Sequence, residues 1–174
     1  MVREFRANDY FTGRPRWFLE KEKSGGGITM NYGAHALDAL FYSSGLEAVE
    51  VMGVGSNLLT DDTVEAAGQI LVKLSNGAGV SLNFCGCPMR GEEWDSCYHF
   101  TGGRIVRNSP SKMLVIRGAE EPEMIETKQN DSIFLRQLNE FVKMMKGEPN
   151  EMPTGAYSRK IIQVLEKGIG QFDI

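Results

Sequence analysis

The residue types that could do chemistry are concentrated in one stretch, Gly25-Gly26-Gly27-Ile28-Thr29-Met30-Asn31-Tyr32-Gly33-Ala34-His35-Ala36-Leu37-Asp38. A glycine-rich bend delivers the chain to a helix that carries His35 in its first turn or so, with Asp38 three residues on. Imidazole changes its charge near neutral pH and is the commonest general base where a hydroxyl must lose its proton. Close to a helix N-terminus the backbone dipoles favour the neutral ring, which is the proton-accepting form. Asn31 stands four residues before His35 and lies beside it if helical geometry begins that early. Its amide can orient an imidazole or bind a substrate hydroxyl, but it cannot ionise. A lone histidine near a helix start is commonly a solvated or hydrogen-bonded surface residue. The flanking glycines, Asn31 and Asp38 are what set this one apart.

The elements that must position these residues can be read from periodicity. Leu37, Leu40 and Phe41 at i, i+3 and i+4 predict a helix from about Gly33 to Ser43, ended by Gly45. The middle of the chain is β. Val49, Val51 and Val54 form a strand-like run interrupted by Gly53 and Gly55. From Val64 to Leu74 the alternation places Val64, Ala66, Gly68, Ile70, Val72 and Leu74 on one face, with Glu65, Gln69 and Lys73 on the other. Val80, Leu82 and Phe84 continue the pattern. A two-residue turn would mix the faces, whereas a three-residue turn, Ser75-Asn76-Gly77, aligns Val72 with Val80 and Ile70 with Leu82. Further strands are expected at 96–101, 104–107, 112–117 and 123–128. The period then lengthens: Ile133, Leu135, Leu138, Phe141, Val142 and Met145 predict a helix from Asp131, its N-cap, to Lys146, stopped by Gly147. Thr154 can cap a last helix running to about Gly170. The expected fold class is α+β, one mostly antiparallel sheet with helices packed on one face. Its other face is then solvated or docked against another chain.

With 174 residues, 41% hydrophobic and 24% charged, the chain has the size and composition of one globular domain. A net charge of −4 supplies no basic field for nucleic acid or an anionic membrane. No apolar run approaches the ~20 residues of a membrane span, and the first residues lack a signal-peptide core. Cys85, Cys87 and Cys97 are an odd, sparse set that fits free thiols in a reducing cytoplasm. With His99 they offer four soft ligands, so a Cys₃His zinc site is the competing reading; no metal site is expected. Residues 1–24 read as an irregular, partly basic lead-in arm whose aromatics, Tyr10, Phe11, Trp17 and Phe18, need something to pack against. Glu92, Glu93, Trp94 and Asp95 read as a solvated loop between strands.

The pattern GGG-x-x-x-[D/N]-x-G-x-H-x-x-D resembles the active-site segment of the glucose–fructose oxidoreductase/inositol dehydrogenase (Gfo/Idh/MocA) family, NAD(P)-dependent oxidoreductases of sugars, inositols and related polyols. Arg14-Pro15-Arg16-Trp17-Phe18 resembles the Trp-containing segment that precedes the glycines in many members, and the paired C-terminal helices follow in the family's order. The resemblance implies that His35 takes the substrate hydroxyl proton while a hydride leaves to the nicotinamide. Asn31 stands where many members carry an Asp paired with that His. Arg16, Trp17 and Asp38 are candidate substrate-binding residues; for the two on the arm the alternative is an arm packed across the domain surface. No G-x-G-x-x-G follows a strand, and the Glu-Lys-Pro segment that supplies the family's catalytic Lys is lacking. The resemblance therefore covers the substrate and oligomerisation half, without the N-terminal Rossmann domain that holds NAD or NADP; no cofactor is expected on this chain itself. Self-association is expected through the open sheet face, where Leu71 and Ala67 lie among polar residues. The alternative is a stand-alone, non-catalytic polyol-binding or assembly module derived from such an enzyme.

Overall fold

Most of the strands run in one block between helices, much as the periodicity requires. A computed structural model describes residues 2–6, 10–58, 62–86, 93–109, 111–126 and 132–173. Strand β1 (Val2–Arg6) is followed by a 3-10 turn (Arg16–Leu19), the short α1 (Lys21–Ser24) and α2 (Ile28–Ser44). Then come β2 (Ala48–Ser56), β3 (Ala67–Leu74), β4 (Gly79–Cys85), β5 (Glu93–Phe100), β6 (Gly103–Arg107), β7 (Lys112–Arg117) and β8 (Glu123–Glu126), and finally α3 (Ile133–Lys146) and α4 (Gly155–Ile169). The strands form one eight-stranded sheet in the order β2-β3-β4-β1-β5-β6-β7-β8. Its pairings are antiparallel except β1 with β4.

The β3–β4 hairpin closes as the face argument demands. Val72 pairs with Val80 and Ile70 with Leu82. The Leu74 amide donates to the Ala78 carbonyl at 2.9 Å, and Gly77 takes φ +86°, the left-handed conformation a bulged three-residue turn needs. Thr154 caps α4, its hydroxyl accepting from the Tyr157 amide at 3.2 Å, and Gly147 closes α3 at φ +72°. Four expectations need correction. The first 24 residues are not irregular throughout: Val2–Arg6 inserts as a strand between β4 and β5, a non-local pairing that no local pattern announces. Helix α2 starts at Ile28 rather than Gly33. Strand β3 starts at Ala67, so Glu65 lies ahead of it and is buried rather than on an exposed strand face. Glu93, Trp94 and Asp95 belong to β5 rather than to a loop. The expected cap Asp131, together with Cys87 and Glu92, lies outside the described residues; Ser132 occupies the N-cap position of α3.

Helices α2 and α4 cross on one face of β2, β3 and β4. Leu37, Leu40 and Phe41 of α2 and Ile161, Leu165 and Ile169 of α4 bury against Ile70, Val72, Leu82 and Phe84. Each such side chain contributes roughly 1.5–3 kcal/mol on leaving water. Gly53 and Gly55, which look like strand breakers, instead let α4 approach the sheet. A Cβ at Gly53 would stand 2.1 Å from the Gly168 carbonyl oxygen, and one at Gly55 would stand 2.1 Å from the Phe172 ring. Gln171 then seals the edge strand, its amide donating to the Val51 carbonyl and accepting from the Gly53 amide, each at 3.1 Å. Helix α3 has no buried residue. Among the described residues no helix is long and apolar enough to cross a membrane.

Gly53→Ala is expected to lower the unfolding free energy by about 1–3 kcal/mol in urea denaturation, because α4 must be displaced. Gly79→Ala, where a Cβ meets nothing within 4 Å, should stay within about 0.5 kcal/mol. Equal effects at the two positions would show that α4 does not rest on the glycine.

Candidate functional site

Helix α2 begins without a side-chain cap of its own, because its N-cap residue is Gly27. The partners come from Glu65, 38 residues further along the chain. Its carboxylate accepts from the amides of Gly27 at 2.8 Å, Thr29 at 2.9 Å and Met30 at 3.3 Å. Its backbone carbonyl accepts from Ile28 at 3.4 Å. The first intrahelical bond then runs from the Asn31 amide to the Gly27 carbonyl at 3.1 Å. Every amide that the first turn leaves without a helical partner therefore ends on one residue, and a full negative charge sits at the positive end of the helix. Only glycine fits at position 27, since a Cβ there would lie 2.2 Å from the Glu65 carbonyl oxygen. The glycine bend has the form of an anion cradle, but its amides are engaged and a carboxylate fills it. Sequence reasoning missed Glu65; the signal was a helix start with no Ser, Thr, Asp or Asn at its cap.

The earlier start of α2 changes how His35 is placed. It is the eighth helical residue rather than a member of the first turn. The helix-terminus argument for a neutral ring, which holds only within the first turn, does not extend to it. The same continuity satisfies the condition set for Asn31, which now lies one turn before His35 in unbroken helix. Asn31, His35 and Asp38 share one side of α2, with His35 and Asp38 exposed and Asn31 half-buried. The opposite side, Gly33, Ala36, Leu37 and Leu40, is sealed in the core. Asp38 is held by α4: the Tyr157 hydroxyl donates to its carboxylate at 2.8 Å. Burial first, then the hydrogen bond and charge of Asp38, push the Tyr157 phenol up to about 12. Beyond Asp38 and Tyr42 a groove of about 1120 Å³ opens toward Arg136 and Val142 of α3.

The arm approaches α2 through a chain of rings. Tyr10, 1% exposed, contacts Phe18 at 5.8 Å and Tyr32 of α2 at 6.0 Å between centroids, while Arg14 lies 4.8 Å over its face. The Tyr10 hydroxyl is buried beside Asn31 without a well-formed hydrogen bond among the described residues, and burial drives its phenol far above the usual range. Arg16 turns to Asp62 at 3.1 Å and Glu20 at 3.4 Å. Trp17 is 52% exposed and edges onto Phe18 at 5.6 Å. The structure therefore brings Asn31, His35 and Asp38 together, whereas Arg16 and Trp17 are engaged within the arm and with the segment before β3. Of the soft ligands, Cys97 Sγ lies 3.2 Å from His99 Nε2, while Cys85 is two strands away across β1. No metal-holding group of three or more His, Cys, Asp or Glu occurs among the described residues.

A family model described as GFO/IDH/MocA C-terminal domain matches residues 1–106. UDP-N-acetylglucosamine 3-dehydrogenase GnnA from Acidithiobacillus ferrooxidans superposes with a TM-score of 0.78 at 15% identity, over 99% of this chain and 52% of that one. The aldose-aldose oxidoreductase from Caulobacter crescentus, complexed with glycerol, gives 0.75 at 19% identity, over 95% and 51%. GenD2 from gentamicin A biosynthesis, in complex with NAD, gives 0.73 at 19% identity, over 98% and 52%. At such identities the likeness is one of fold, and this chain spans about half the length of these structures. No curated protein sequence matches.

The Asp38–Tyr157 contact makes an expectation in alkaline solution. Asp38→Asn removes two of the causes that raise the phenol but leaves burial, so the Tyr157 ionisation midpoint should fall from about 12 yet stay above the ordinary 10.0. Ultraviolet titration, with Tyr157→Phe as reference, reads it. Because the folded value is raised, the stability this contact contributes is intact below the unfolded value and is lost as pH rises from there through about 12. An unchanged midpoint in Asp38→Asn would remove the carboxylate from the account.

Proposed function

The chain belongs to the GFO/IDH/MocA C-terminal domain family, and from that premise we propose that it is the substrate-binding and oligomerisation half of an NAD(P)-dependent oxidoreductase acting on a sugar, inositol or related polyol in the cytoplasm. The observation that carries the reading is the polar side of α2, with Asn31, His35 and Asp38 facing outward from a helix whose other side is locked to the sheet. His35 accepts the proton of the hydroxyl being oxidised. Asn31 holds the imidazole or a neighbouring hydroxyl, with Asp38 the third polar group on that side; Arg16 and Trp17, turned to Asp62, Glu20 and Phe18, are left out of the site.

The nucleotide takes up the hydride when bound, and the described residues do not fit its pyrophosphate. The one glycine bend that opens a long helix carries Glu65 where phosphate oxygens would sit. NAD or NADP is accordingly held by a nucleotide-binding half outside these residues, and the share of this chain is the hydroxyl group and its proton. Two chains associate through the open sheet face. There the register sets Glu50, Met52 and Val54 of β2 beside Lys73, Leu71 and Gln69 of β3. Gln69 donates to Asn83 at 2.7 Å, giving an ordered polar centre, while Met52, Val54 and Leu71 stand exposed around it.

In the complete protein that carries this chain, His35→Ala should depress turnover of a polyol roughly 10²–10⁴-fold; retained turnover would return His35 to a surface residue. Calorimetry on the 174-residue chain should detect no NADH binding, and micromolar affinity would contradict the division of labour. Sedimentation velocity should show a dimer that Leu71→Asp converts to monomer. A parent chain that stays monomeric at high concentration would rule out the sheet-face interface.

A further inference from the structure

We propose that Glu65 is the positioning residue of the His35 site, an inference that rests on reading His35 as the proton acceptor. Three observations converge on it. Glu65 is fully buried, and no side chain of the local sequence caps α2, so the amides of Gly27, Ile28, Thr29 and Met30 depend on this one distant residue. The Asn31 amide bonds to the carbonyl of Gly27, the same residue whose own amide Glu65 holds, so the place of Asn31 relative to His35 follows from the place of Gly27. The neighbours of Glu65 tie the arm that leads into α2 to the same strap: Asp62 pairs with Arg16 at 3.1 Å, and the Thr63 hydroxyl accepts from the Lys21 amide at 3.0 Å. The strap is itself anchored in the sheet, Ala66 donating to the Ser56 carbonyl and accepting from the Gly86 amide, each at 2.8 Å.

The charge type matters as well as the shape. A carboxylate is all acceptor and meets several converging N–H groups without conflict. An amide of the same size must turn an NH₂ toward at least one backbone donor. An aspartate keeps the charge but falls one methylene short. The order Glu > Asp > Gln therefore separates positioning by charge-assisted hydrogen bonds from simple filling of space.

Hydrogen exchange on the 174-residue chain tests the proposal without substrate or cofactor. Glu65→Gln should speed exchange at the helix start, across the Gly27, Thr29 and Met30 amides, by about tenfold or more, with Glu65→Asp intermediate, while the Leu74 amide in the β3–β4 turn is unchanged. The side-chain amide resonance of Asn31 and the ring resonances of His35 should move with the helix start. In the complete enzyme, Glu65→Gln should lower kcat roughly 10- to 100-fold per folded molecule, with the KM for the nucleotide unchanged and partial recovery in Glu65→Asp. Unchanged protection at all of Gly27, Thr29 and Met30 would overturn the proposal. So would uniform acceleration that includes Leu74, because Glu65 would then serve global stability alone. Turnover insensitive to His35→Ala defeats the functional reading instead and leaves the exchange result standing, so the two failures are distinguishable.

Discussion

A buried carboxylate on the open end of a helix is the interaction on which the rest of this structure depends. Helix α2 starts at glycines, which supply no oxygen to their own amides, and its first turn runs into the interior where water cannot supply one either. Leaving a buried N–H unpaired costs about 1–3 kcal/mol, so four unpaired amides would make this helix start untenable. Glu65 resolves this with two kinds of oxygen, its carboxylate and its own carbonyl. The arrangement is reciprocal, because the amides and the dipole of α2 also make the burial of an ionised side chain tolerable. Each half lowers the cost of burying the other.

That constraint propagates in two directions. Along α2, an anchored first turn sets which residues face the core and which face outward, so Asn31, His35 and Asp38 come to one open side while Leu37, Leu40 and Phe41 seal the other. Across the fold, the strap that carries Glu65 leads into β3, the strand on which α2 and α4 both rest. The small residues complete the seating: Gly33 lets α2 approach Leu165 of α4, and Gly53 and Gly55 admit the end of α4 and Phe172 to the sheet. Tyr157 then closes the circuit by donating from α4 to Asp38 on the outward side of α2.

The same charge decides what the glycine bend holds. A glycine-rich bend opening a helix is the usual cradle for phosphate, and here the cradle is filled by the protein's own anion. On the reading proposed above, the polar side of α2 takes a hydroxyl beside His35, while this helix start, its amides already engaged, takes no phosphate. The polar, hydrogen-bonded centre of the opposite sheet face, with Gln69, Ser81 and Asn83 joined to one another, is likewise ordered without any partner from the helices.

Much of this was legible in the residues because it depends on local period and turn chemistry. The β3–β4 register follows from keeping Val72 and Val80 on one face, the caps at Thr154 and Gly147 from short-range hydrogen bonding, and the shared side of Asn31, His35 and Asp38 from helical spacing. By itself the sequence determined the α+β class, the hairpin register, the two C-terminal helices and the stretch proposed as the site. Only the tertiary structure decided that Val2–Arg6 becomes an inner strand, that α2 begins at Ile28 so that His35 sits in mid-helix, and that Glu65 points inward. The reason is the same in all three cases. Each rests on a partner 36 or more residues away, Ser81 and Cys97 for Val2 and Glu65 for Thr29, and a pairing across that distance leaves no periodic trace in the residues on either side.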